Sequence, residues 1–189
     1  MIYTFNNCSS LKTINFGNIN TSSVEDMRYL FSECSSIPSL DISQFDTSKV
    51  KNMGAMFHNC INLTSINFGN INTSSVKYMG ELFNKCNNLN TINLSLFDTS
   101  QVTIMKNMFN GCFSLVSINL SSFDTSKVTD MRSMFQNCKT ITKIDLTNIN
   151  TSSINSLSYF FNGCLLLSSI DLSSLETSKV THMSYMFQN

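Results

Sequence analysis

The sequence predicts an α/β solenoid, a right-handed superhelix of about seven units that each contribute one strand and one short helix. Three observations predict it: a fixed 26-residue repeat, a short alternating segment in each unit, and an apolar stripe at helical spacing after that segment. A repeat period of roughly 20–50 residues is typical of solenoids and propellers. One unit cannot bury its apolar residues alone, so stacked units share a continuous core. We expect a parallel sheet on one face and short helices on the other.

The repeat is clearest in the cysteines and phenylalanines. Phenylalanines recur every 26 residues from Phe5 to Phe187, with no insertion or deletion. The cysteines keep the same interval, at Cys8, Cys34, Cys60, Cys86, Cys112, Cys138 and Cys164. No linker or change in composition interrupts the pattern. We therefore expect a single repeat domain, residues 1–189, with 1–7 as a partial unit. The expected units are 8–33, 34–59, 60–85, 86–111, 112–137, 138–163 and 164–189.

The strand of each unit is predicted from a segment such as "LVSINL", residues 115–120. Ile118 and Leu120 alternate there with polar residues, which is typical of a short half-buried strand. The outward residues should form two polar columns, which we call the strand face. They are Thr13, Asn15, Ser39, Asp41, Ser65, Asn67, Thr91, Asn93, Ser117, Asn119, Lys143, Asp145, Ser169 and Asp171. The strand face is either a solvated side of the sheet or a flat docking surface for a protein or glycan.

The helix of each unit is predicted from a segment such as "VTDMRSMFQNC", residues 128–138. Its apolar residues fall at i, i+3, i+6, i+7 and i+10, which is one face of a helix. Thr125 and Ser126 precede it, and such hydroxyls cap helix N-termini or bond to neighbouring turns. Asn137 stands near its end, where a left-handed residue commonly closes a helix.

The seven cysteines predict a buried ladder of free thiols. Their side chains should point in parallel into the core, and an odd number does not pair into disulfides. Neither a C-x-x-C nor an H-x-x-x-H spacing occurs, so we expect no zinc site and no cofactor. His58 and His182 fall at different phases of the repeat and are both predicted to be solvated. We expect no catalytic activity, because no general base stands near a nucleophile and no unit is interrupted.

Composition argues against two classes of partner. The formal net charge is zero and only 13% of residues are charged, so we expect no nucleic-acid binding. No apolar run approaches membrane-spanning length, so we expect no membrane insertion. The first residues, "MIYTFNNCSS", lack the features of a signal peptide, and no anchor is recognisable in the chain.

The repeat resembles a known family. The segments "LSSFDTSKVTDMRSMFQNC" and "LDISQFDTSKVKNMGAMFHNC" are similar to the 26-residue branch of the BspA-like leucine-rich-repeat surface proteins, found in mycoplasmas and other low-GC bacteria. The resemblance extends from the first cysteine to the last phenylalanine. It implies a leucine-rich-repeat solenoid, a location at the cell surface or outside the cell, and a role in adhesion or protein recognition. The family defines no catalytic residues, so the resemblance implies none here.

Two functions remain open at this point. The first is a non-catalytic binding module that recognises a protein or glycan through the strand face. The alternative is a structural subunit that forms homo-oligomers by stacking its solenoid ends, where no polar cap is recognisable. A second contact surface is suggested by Tyr3, Tyr29, Tyr159 and Tyr185, which share one phase of the repeat and should be exposed.

Overall fold

The computed structural model describes residues 1–188 and shows a parallel repeat solenoid. Its strands are β1 (Ser39–Asp41), β2 (Ser65–Asn67), β3 (Ser117–Ile118) and β4 (Lys143–Ile144). The strands β1 and β2 pair in parallel, as do β3 and β4, and each residue lies opposite the residue 26 positions later. The 26-residue period is therefore the register of the solenoid, and the prediction of a stacked repeat is confirmed.

The strand side is less continuous than predicted. We expected one parallel sheet with a strand from every unit, whereas the described residues form two separate two-stranded sheets. The corresponding segments 13–15, 91–93 and 169–171 are not strands. Strands of two or three residues offer few hydrogen bonds to one another, and the opposite side of each unit supplies most of the bonding between units.

The predicted helices are wrong: residues 1–188 contain none. Successive turns replace them, and alternate N–H groups bond to the next unit. Tyr29 donates to the carbonyl of Gly54 at 3.1 Å, and Phe31 donates to Met56 at 2.9 Å. Between them, Leu30 bonds back to the carbonyl three residues earlier, at 3.2 Å. We call the side of the solenoid built from these turns, residues 26–33 and their equivalents, the turn face.

Left-handed residues exclude a helix on the turn face. Tyr29 has φ +55° and Glu33 has φ +62°, and positive φ recurs at both positions in the other units. Helical residues need negative φ, so neither position can continue a helix. An apolar spacing of three to four residues fits a series of tight turns as well as a helix. A helix of about eleven residues is also marginal alone, whereas the turns bond directly to their neighbours.

The Thr-Ser pairs do not cap helices; the threonines lock neighbouring units together. Thr99 is buried, and its hydroxyl donates to the carbonyl of Asp124 at 2.8 Å. The same hydroxyl oxygen accepts the N–H of Asp124 at 2.8 Å. Equivalent bonds to the carbonyl 25 residues later are made by Thr21, Thr47, Thr73, Thr125 and Thr151. Bonding between neighbouring turns, the second role expected for these hydroxyls, is therefore confirmed.

The core consists of ladders of identical side chains. Phe57, Phe83 and Phe109 are fully buried and stack with ring centroids 5.6 Å apart. Phe68, from another phase of the repeat, packs edge to face against Phe83 and against Phe97. Every unit thus depends on the units on both sides for its packing.

The cysteine ladder is confirmed. All seven thiols are free, and six are buried whereas Cys8 is half-buried. Each buried Sγ donates to a backbone carbonyl 29 residues earlier, as Cys112 does to Phe83 at 3.2 Å. Burial raises the pKa of Cys112 from its ordinary value of 9.0 to about 12. The buried cysteines therefore act as small apolar side chains rather than nucleophiles.

The thiol ladder predicts strongly selective alkylation. At pH 8 we expect iodoacetamide to modify Cys8 at least about 100-fold faster than Cys112, because a raised pKa and burial both suppress the reactive thiolate. Peptide mass spectrometry over a time course measures the individual rates. In 6 M guanidinium about equal rates are expected at all seven thiols. Rapid modification of Cys112 in the folded protein would contradict the buried ladder.

Candidate functional site

All fourteen side chains predicted for the strand face are exposed. The register places Ser39 beside Ser65 and Asp41 beside Asn67, so the two columns form where the strands pair. The first column contains Thr13, Ser39, Ser65, Thr91, Ser117, Lys143 and Ser169. The second column contains Asn15, Asp41, Asn67, Asn93, Asn119, Asp145 and Asp171.

The second column has a structural role that was not predicted from the sequence. Oδ1 of Asp41 accepts the backbone N–H of Ser43 at 2.9 Å, and the other six members make the equivalent bond at 2.8–3.1 Å. These are Asx turns, in which the side chain fixes the chain direction after the strand. Hydrogen bonds from the Ser43 hydroxyl and N–H hold the pKa of Asp41 below its usual range. The sequence signal was a Gly, Ser or Thr two residues after each Asn or Asp.

The first column has almost no such role. Within residues 1–188 the one side-chain hydrogen bond of this column joins the Thr91 hydroxyl to Asn90 Oδ1 at 3.4 Å. The column is exposed, so its hydroxyl groups and the Lys143 amine face solvent on a scaffold that does not need them. They are accordingly accessible to a partner.

A groove of about 640 Å³ crosses the strand face where β4 meets the last described unit. Lys143, Asp145, Ser169 and Asp171 line it. The two carboxylates are each bonded to their own turn, and no cluster of three or more metal-ligating residues occurs in the part of the chain that the structure describes.

The turn face carries every tyrosine of the protein. Tyr3 stacks on Tyr29 with centroids 4.7 Å apart, and Tyr159 stacks on Tyr185 at 5.1 Å. Tyr29 is half-buried, and the other three are exposed as the shared phase predicted. The fifth, Tyr78, was missed because no other unit has a tyrosine or phenylalanine at its position.

Tyr78 lies against a surface of small residues. A Cβ atom added to Gly54 would come within 2.6 Å of the Tyr78 ring, so only glycine permits this packing. A recess of about 210 Å³ lies beside the ring, and Arg28, Tyr29 and Glu81 contribute to its lining.

A larger groove, of about 750 Å³, lies at the other end of the turn face. It spans four successive units and is bordered by the Tyr159–Tyr185 stack. Lys106, Arg132 and His182 contribute basic side chains, and the remainder of the lining is Ser and Asn. The shared phase predicted the exposed tyrosines, whereas the basic residues beside them lie on other phases and were not predicted there.

The two histidines differ in environment. His182 is exposed, as predicted. His58 is half-buried, so the prediction that it is solvated is wrong. Burial lowers the pKa of His58, and Glu81 lies 3.9 Å from its Nδ1. The turn architecture explains the difference, since the segment carrying His58 packs against the next unit rather than standing on an outer helix face.

Residues 1–188 contain no helix with the length and apolarity needed to cross a membrane. The described geometry defines a class: a parallel solenoid of 26-residue units joined by threonine, cysteine and phenylalanine ladders.

The chain belongs to the family described as "Mycoplasma protein of unknown function, DUF285", which matches residues 1–116 and 110–189. The family resemblance inferred from the sequence is confirmed. A comparison with curated proteins found no match.

Several solved structures are similar to the chain. A leucine-rich repeat protein of T. pallidum is 18% identical, with 80% of this chain and 71% of that chain covered and a TM-score of 0.43. A leucine rich cell surface protein of Faecalibacterium prausnitzii is 16% identical, with 90% and 68% covered and a TM-score of 0.36. A leucine-rich repeat protein of Bacteroides ovatus is 19% identical, with 98% and 60% covered and a TM-score of 0.31. These scores are low, so the family assignment rests on the sequence match.

Proposed function

We propose that the chain is a non-catalytic recognition module, displayed at the cell surface, that binds a protein or glycan through the strand face. The observation that carries this proposal is the first column of the strand face. Its seven exposed polar side chains extend over seven units, and they contribute almost nothing to the internal hydrogen bonding of residues 1–188.

The scaffold supports a binding role because it holds that column in a fixed geometry. The Asx turns of the second column fix the chain after each strand, and the threonine ladder fixes the spacing between units. A rigid surface loses little conformational entropy on binding, so even modest polar contacts yield affinity. A surface of Ser, Thr and Asn side chains favours a hydrogen-bonded, hydrated interface over an apolar one.

The test uses residues that the repeat already accepts. Lys143 occupies the first column in its own unit, so Ser65→Lys and Ser117→Lys place a long charged side chain where the fold tolerates it. We expect the double variant to weaken binding to its partner by about tenfold or more, because the lysines obstruct a flat interface. The probes are immobilised fibronectin, laminin, collagen and mucin, with affinity measured by surface plasmon resonance.

Ser153→Lys is the matched control. It is exposed outside the strand face, at a position where other units have Lys49, Lys127 and Lys179. Equal loss of binding in the control and the double variant would reject the strand face as the contact surface. Light scattering separates the alternative function: a mass that grows with concentration, with no binding to the four probes, would favour assembly into homo-oligomers.

A further inference from the structure

The groove of about 750 Å³ on the turn face has the dimensions of a site for an extended ligand. Its lining comes from four successive units: Lys106 and Arg132 are followed by Ser158 and Ser184 at equivalent positions. Units stacked about 4.8 Å apart give it a length of about 14 Å. It lies on the side of the solenoid opposite the strand face, so what it binds is independent of the function proposed above.

The charge of the groove favours an anion. Lys106 and Arg132 supply its positive charge, His182 lies beside them, and none of its lining residues is acidic. Two carboxylates stand just outside. Asp130 pairs with Arg132 at 2.8 Å, and Glu81 lies 3.9 Å from the Lys106 amine. The Asp130 contact orients the guanidinium group, and Arg132 remains exposed beside the groove.

The tyrosine stack provides a flat apolar wall. One face of the Tyr159 ring is covered by Tyr185, with the ring centroids 5.1 Å apart and the planes inclined by 24°. Ser133 occupies the position of Tyr159 in the preceding unit, and its small side chain leaves room in front of the Tyr159 ring. Tyr159 is exposed although the scaffold around it is tightly packed. Rigid exposed aromatic residues of this kind supply contact area at a low entropic cost.

We propose that this groove binds an acidic oligosaccharide. A sugar ring packs against Tyr159, and a carboxylate or sulfate group of the sugar lies near Arg132 and Lys106. The serine and asparagine side chains of the lining match the hydroxyl groups of a sugar chain. A peptide would need apolar pockets for its side chains, and the tyrosines are the only large apolar groups in the lining.

The other tyrosine stack provides an internal comparison. Tyr3 and Tyr29 stack at 4.7 Å, as closely as the first pair, but the neighbouring recess is smaller and includes the carboxylate of Glu81. Glu81 lines that recess and offsets the charge of Arg28, whereas it stands outside the larger groove, 3.9 Å from Lys106. Aromatic stacking is thus common to both places, whereas the excess of basic side chains belongs to the larger groove.

The experiment measures binding of hyaluronan, dextran sulfate and neutral dextran by isothermal titration calorimetry. The variants install residues that other units carry at the same phase: Arg132→Ser as in Ser158, and Tyr159→Ala as in Ala55, which shares its positive φ. We expect hyaluronan or dextran sulfate to bind and neutral dextran not to bind. Each variant should weaken binding by about tenfold, and added salt should weaken it further.

Tyr3→Ala is the matched control and should leave the affinity within about twofold. Binding of hyaluronan alone assigns the site to carboxylated sugars, and binding of dextran sulfate alone assigns it to sulfated ones. Three results would overturn the proposal: no binding of either polymer, unchanged affinity in both groove variants, or equally tight binding of poly-glutamate. The strand-face variant Ser65→Lys, Ser117→Lys should bind the sugar normally, so failure of one proposal leaves the other intact.

Discussion

Phe83→Ala is expected to lower the free energy of unfolding by about 3–5 kcal/mol. The Phe83 ring is fully buried and stacks on Phe57 and on Phe109, with centroids 5.6 Å away on each side. Its removal leaves a cavity that the ladders on either side cannot close, because their spacing is fixed by hydrogen bonds between units. Guanidinium denaturation followed by circular dichroism measures the loss.

The position of the defect adds a second signature. Stability in a solenoid is a sum of unit and nearest-neighbour terms, so a weak central interface uncouples the two halves. We expect a broader transition in Phe83→Ala, with a lower apparent m-value, than in the unmodified chain. Phe113→Ala is the control: that ring is 37% exposed and lies under the Lys139 amine, so about 1 kcal/mol or less is expected. Equal losses at the two positions would contradict a stacked core.

The period and the core were predictable because they depend on side-chain chemistry that repeats in register. A phenylalanine or cysteine at every twenty-sixth position is buried in a stack of units. There each phenylalanine packs on the phenylalanine of the next unit, and each buried thiol bonds to the backbone of a neighbouring unit. The outward orientation of the strand face was also predictable, because apolar and polar residues alternate along each strand and so point to opposite sides.

The local backbone was not predictable from that pattern. The apolar residues of a turn series repeat every three or four positions, as they do in a helix, and the difference lies in φ at Tyr29 and Glu33. A left-handed conformation is usually found at Gly, Asn or Asp, and Tyr29 and most of its equivalents are none of these. The Glu33 phase is Asn or Gly in most units, so the left-handed residue expected at Asn137 is confirmed, although it closes a turn rather than a helix. The conformation is imposed by bonds to the next unit, so it depends on residues 25 positions away rather than on neighbours in sequence.

The two candidate sites also differ in how far the repeat pattern predicts them. Columns that lie on one phase, such as the strand face, were found from spacing alone. The groove on the turn face combines residues of different phases: Lys106 and Arg132 share one phase, and Tyr159 lies on the next. Consecutive residues of a helix are about 100° apart, so the predicted helix did not place the phase of Tyr159 beside that of Lys106 and Arg132.

The threonine ladder gives the second large effect, because its hydroxyl groups join units at a buried position. Thr99→Val is expected to lower the free energy of unfolding by about 2–3 kcal/mol. Valine has nearly the shape of threonine, so packing is preserved, while the carbonyl and N–H of Asp124 both lose their 2.8 Å partner. Thr99 is only 1% exposed, so water cannot readily replace the hydroxyl.

Thr99→Ser separates this hydrogen bonding from packing. It keeps the hydroxyl and removes one methyl group, so about 1 kcal/mol is expected. Thr99→Val should therefore lower the free energy of unfolding more than Thr99→Ser does. In an ordinary apolar core the order would be reversed. If serine is the more damaging residue, the ladder is held by the methyl groups and the hydroxyl bonds contribute little. If valine is worse, hydroxyl bonds between units keep the register on which both candidate surfaces depend, since each surface joins side chains from several units.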